Sequence, residues 1–119
     1  MESILTSIKK LLGITEEYDH FDVDIIMHIN TVFMTLHQMG VGPSKVFSIS
    51  DKYSTWDEFI PEDDENFGPV KSYMYMKVKL LFDPPLSSTT LSSYERLITE
   101  LEWRLHVAAE TPDEIQNGD

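Results

Sequence analysis

The sequence predicts an all-α bundle of about four main helices, with a small extended loop or hairpin between the second and third. Three observations carry that prediction. Apolar residues recur at spacings of three and four in separate stretches, the period of one helix face. Glycine, proline and acidic punctuation falls mainly between those stretches. The 119 residues, 41% of them hydrophobic, suffice for one modest core and hence for a single domain over residues 1–110, followed by an acidic tail over 111–119.

The first helix is expected over residues 3–12, where Ile4, Leu5, Ile8, Leu11 and Leu12 share a face and Gly13 supplies the stop. The acidic stretch 16–19, with Glu16, Glu17 and Asp19, reads as a linker. Asp22 then reads as the N-cap of a second helix, with Phe21 and Ile26 placed to staple its entry. Over residues 23–39, Ile25, Ile26, Ile29, Val32, Phe33 and Leu36 keep helical period, and Gly40 marks the end.

Residues 41–60 change character. Gly42 and Pro43 make a turn, Val46, Phe47 and Ile49 suggest an extended piece, and Asp51 and Lys52 reverse the chain, the pattern of a small hairpin. Thr55 and Glu58 have the spacing of a capping box for one helical turn carrying Trp56 and Phe59. Pro61 and the acidic residues 62–65 read as a solvated loop.

A third helix is expected to open on Pro69 and to end at Phe82, before Asp83, Pro84 and Pro85. Val70, Tyr73, Met74, Leu80 and Leu81 form one apolar face, and Tyr75, Met76, Val78 and Phe82 spread apolar surface around much of the rest. Such a helix needs cover on most sides, so both a monomer core and a neighbouring subunit are expected to touch it. Residues 87–90 supply caps for a last helix whose Leu91, Tyr94, Ile98, Leu101, Leu105 and Ala108 form a heptad-like seam widened by Leu97, with Glu100 and Arg104 spaced for an ion pair.

Function is constrained mostly by exclusion. The chain has no cysteine, which removes disulfides, thiolate metal sites and thiol redox chemistry and makes cytosolic folding the natural reading. Lys9 and Lys10 sit inside the first apolar stretch, unlike a secretory signal. No apolar run approaches the roughly 20 residues that cross a bilayer, so no membrane association is expected. A formal charge of -12 opposes tight binding to nucleic-acid phosphates.

His20, Asp24 and His28 are spaced by four but lack a fourth ligand, and His37 and His106 add nothing to them, so no metal site and no cofactor is expected. The turn at Gly40, Val41, Gly42 and Pro43 lacks the Lys and Ser/Thr of a nucleotide loop. Ser87, Ser88, Ser92 and Ser93 lack the surroundings of a nucleophile. No carboxylate pair sits in an apolar surround, and no enzymatic activity is expected. The residues singled out as subunit or partner interface are Phe47, Ile49, Trp56, Tyr75, Val78 and Phe82, the clustered apolar load of the loop and of the third helix.

Three blocks carry a resemblance to a known family: SIKKLLGIT with residues 21–42; VFSISDKYSTWDEFI; and VKSYMYMKVKLLFDPP with residues 94–109. In these blocks, and in its order of helix, helix, loop, helix, proline-ended turn and long last helix, the chain is similar to the small head-tail connector (adaptor) proteins of tailed bacteriophages, sometimes labelled DNA-packaging proteins. The resemblance implies a virion structural subunit of the neck, made in the host cytoplasm. It further implies a homo-oligomeric ring of about twelve copies beneath the portal protein, closed by rotation and followed by a downstream neck or tail-completion protein. DNA would pass through such a ring without specific binding. The competing reading is a standalone acidic interaction module, an inhibitor of a host protein or a DNA mimic. It would need ordered carboxylates on one face, whereas here they are scattered among caps, loop and tail.

Overall fold

The structure, a computed structural model, describes residues 2–110 as an all-α fold of four helices. These are α1 (Ile4–Leu12), α2 (Asp22–Gln38), α3 (Phe67–Phe82) and α4 (Ser88–Glu110), with a short 3₁₀ turn at Trp56–Glu58. The expected acidic tail, 111–119, lies outside the described residues.

α1 and α2 end by the same device. Gly13 and Gly40 both adopt φ 84°, a left-handed conformation that costs glycine little. This turns the next amide back on the helix: Ile14 N–H donates to the Lys9 carbonyl at 2.8 Å and Val41 N–H to the Leu36 carbonyl at 2.9 Å. Ser3 caps α1, its hydroxyl accepting from Thr6 N–H at 3.0 Å.

Asp22 is not the cap of α2. It is the first helical residue, Phe21 holds the cap position without a side-chain bond, and the Asp22 carboxylate turns instead toward α1. Its Oδ1 lies 2.8 Å from Lys9 Nζ, and that ammonium, 2% exposed, also donates to the Glu16 carbonyl at 3.0 Å. Oδ1 is enclosed and accepts no well-aligned hydrogen bond, so the pairing is by charge. Phe21 lies edge-on to Phe82 of α3, with ring centroids 5.3 Å apart.

Of the two forms expected between α2 and α3, an extended loop or a hairpin, the loop is found: no strand forms among the described residues and one isolated bridge joins Ser3 to Thr55. The reason is a substitute partner. The Asn30 carboxamide accepts from Ile49 N–H at 2.8 Å and donates to the Ile49 carbonyl at 2.9 Å, doing for this extended segment what a second strand would. The capping box of Thr55 and Glu58 forms as the spacing predicts, and Glu58 accepts from Thr55 N–H at 2.9 Å.

α3 opens two residues earlier than Pro69. Phe67 N–H donates to the Asp64 carbonyl at 3.0 Å and Val70 N–H to Asn66 at 2.9 Å, so proline falls within the first turn, where its missing N–H leaves nothing unpaired. The third helix is central, packing on α1, α2 and α4. Its Val70, Tyr73, Met74, Met76 and Val78 are buried together with Ile4, Leu5 and Ile8 of α1 and Ile25, Ile29, Val32, Phe33 and Leu36 of α2. The helix that looked apolar on most sides is thus largely covered within one chain.

Candidate functional site

The sequence-predicted interface residues divide between core and surface. Ile49, Trp56 and Val78 are buried. Trp56 lies in an aromatic cluster with Phe33, Phe59 and Phe67, and its indole N–H donates to Ser7 Oγ at 2.8 Å. Ser7 in turn donates to the Ile4 carbonyl at 2.9 Å. These three side chains therefore hold the subunit together and present nothing at its surface. Phe47, Tyr75 and Phe82 are half-buried at its edges, Phe47 against Phe33 at 5.0 Å between centroids and Phe82 between Phe21 and His28.

Two apolar surfaces stand out among the described residues. The first is a groove of about 620 Å³ lined by Leu11 of α1, Phe67, Lys71, Tyr75 and Met76 of α3, and Tyr94 and Leu97 of α4. Its polar features are few. The Tyr75 and Tyr94 hydroxyls lie 3.0 Å apart and share one hydrogen bond. That bond, followed by burial and electrostatic coupling to Tyr94, pushes the Tyr75 phenol up to about 12 from its usual 10.0. Nearby, Tyr73 donates to Glu102 at 2.8 Å, and burial first, then Glu102, raises its pKa further. Lys71 Nζ stands 5.3 Å from the centroid of the Phe67 ring and pairs with no carboxylate among the described residues.

The second surface is the outer face of α2, where Val23 (72% exposed), Met27 (61%) and Met34 (47%) line up along the helix. Their spacing of four and seven is a second helical stripe opposite the core stripe, and it was present in the sequence. Reading α2 as a core helix assigned only the stronger stripe. Trp103 of α4, 67% exposed, is another large apolar residue left outside the core.

Several charges have local partners. Asp22 pairs with Lys9, Asp83 with Lys79 and Glu100 with Arg104 at 3.1 Å as its spacing predicts, and the Glu110 carboxylate lies 2.9 Å from His106 Nε2. Asp64 Oδ1 accepts from Asn66 N–H at 2.8 Å at the entry to α3. Among the described residues no group of three or more His, Asp or Glu is placed to hold a metal. His20 and His28 instead flank the aromatic cluster of Phe21 and Phe82. Among the described helices none is long and apolar enough to cross a membrane.

In comparison with known proteins, a family model described as phage connector protein matches residues 4–112. No curated protein and no solved structure matches the chain.

Proposed function

The chain belongs to the phage connector protein family, and from that membership we propose that it is a head-tail connector subunit, built into a ring of about twelve copies that closes by rotation beneath the portal protein. The observation that carries this reading is the match itself, which spans all four helices. The family is structural rather than enzymatic, and the apolar groove with its tyrosine pair serves contact rather than turnover.

In this reading the ring sits in the virion neck, continues the DNA channel and hands on to a tail-side protein. A formal charge of -12 suits a channel wall, because each phosphate contact adds affinity through released counterions and would hold a passing duplex back. Carboxylates engaged in ion pairs and caps, those of Asp22, Glu58, Asp64, Asp83 and Glu100, argue against a DNA mimic.

The test is to mix the chain with its cognate portal protein and to determine composition by native mass spectrometry and electron microscopy. A closed ring of this chain coaxial with the portal is expected. An intact portal that never takes up the chain would overturn the reading.

A further inference from the structure

A ring that closes by rotation needs two different surfaces on each copy, one that inserts and one that receives. The outer face of α2 and the groove between α1, α3 and α4 share no residue, and the groove, at about 620 Å³, is the larger hollow beside a dip of about 380 Å³ at Met27, Asn30, Thr31 and Met34. Their lengths agree. Val23 and Met34 are 11 residues apart on α2, roughly 16 Å, and Phe67 and Met76 span nine residues of α3, roughly 14 Å.

Their chemistry agrees as well. Each copy carries -12, so an approaching copy is repelled unless a cation is waiting for one of its carboxylates. Lys71 is such a cation, held against the Phe67 ring with no ion-pair partner among the described residues. The Tyr75 and Tyr94 pair adds a donor, because two hydroxyls sharing one hydrogen bond leave one hydrogen for an outside acceptor. The groove is therefore suited to an apolar helix face that carries one acid. On α2, Asp24 is exposed between Val23 and Met27 and has no ion-pair partner among the described residues.

We propose that the outer face of α2 of one copy seats in the α1–α3–α4 groove of a second copy, with Val23, Met27 and Met34 as apolar anchors and Asp24 against Lys71. This is the arrangement of an amphipathic helix laid in a groove, repeated from copy to copy. It rests on the ring reading above and specifies which surfaces make the ring.

The absence of cysteine makes the test direct. The exposed Met27 and Ser72 are replaced together, Met27→Cys and Ser72→Cys, and the full chain is assembled on portal and oxidised. A ladder of disulfide-linked multimers is expected, whereas either single variant should give none. Dimers from Met27→Cys alone, or cross-links from Ser72→Cys to portal instead of to another copy, would overturn the proposal.

Charge exchange provides the second arm. Lys71→Glu and Asp24→Lys should each lower the assembled fraction roughly tenfold, and the two together should return it to within about twofold of the original. Rings that form on portal without the ladder and without response to either reversal would sink this interface while leaving the ring reading standing. Failure to assemble at all, with portal intact, would sink both.

Discussion

α1 has nine residues and buries five of them, Ile4, Leu5, Ser7, Ile8 and Lys9, whereas α4 has 23 residues and buries Ile98 and Leu105. The short helix is held by long-range polar contacts in addition to its apolar face: Lys9 to Asp22, and Ser7 to Trp56 across 49 positions of sequence. The long helix packs mainly on α3 and is tied there by two tyrosine contacts, Tyr73 to Glu102 and Tyr75 to Tyr94. Anchoring thus does not follow length. What sets it is how many elements share a helix's neighbours, and α1, α2 and the loop of residues 41–60 form a hub in which each supplies a group that another needs.

That contrast can be broken by substitution, and the largest effect is expected in the hub. Trp56→Ala removes the largest buried side chain and leaves Ser7 without its donor, and it should destabilise the subunit by about 4 kcal/mol in chemical denaturation. Asp22→Ala leaves the enclosed Lys9 ammonium without its counter-charge. It should cost about 3 kcal/mol by the same measurement, an effect out of proportion for a helix-entry residue.

On α4 the effects should be smaller and confined to two positions. Leu105→Ala should cost about 2 kcal/mol, the low end for a buried leucine, because its cavity opens beside an existing cleft at Val41, Phe59 and Ile60. Equal losses at the half-buried Leu91 and Leu101 would show that the whole seam is closed in the free subunit and that the contrast with α1 is overstated.

The smallest effect is pH-dependent. The folded Tyr75 phenol is raised from 10.0 to about 12, so the fold favours the neutral form. The associated stability is fully present below pH 10 and is lost as pH climbs through about 12. Tyr94→Phe removes the first cause of the shift and should bring the spectrophotometric titration of Tyr75 back toward 10, at a cost of under about 1 kcal/mol at neutral pH.

The four helices were legible because their apolar period, their glycine stops and the Thr55 and Glu58 box are local signals. The hub was not, because its decisive pairs are distant in sequence. Nothing near Lys9 announces that its ammonium is buried, and nothing near Ile49 announces that Asn30, 19 positions earlier, replaces a strand. The interface residues show the same limit. Apolar load in residues 41–60 and in α3 was visible, but whether a residue such as Trp56 or Val78 faces inward depends on how α3 is enclosed by the other helices. The α2 stripe of Val23, Met27 and Met34 was overlooked for the opposite reason, as a weaker period on a helix already assigned to the core.

The central claim is that the hub supplies stability while the outer face of α2 and the loosely held α4 side supply assembly. Amide hydrogen exchange of the chain, alone and mixed with the portal protein proposed to receive it, tests it most directly. Exchange at Ile4, Leu5, Ser7, Ile8 and Lys9 of α1 and at Trp56–Glu58 should be unchanged by assembly, while amides of α4, of the first turns of α3 and of the last turn of α1 around Leu11 slow by roughly tenfold or more as the groove is filled. New protection confined to α1 and the loop, with α4 exchanging as in the free chain, would contradict it.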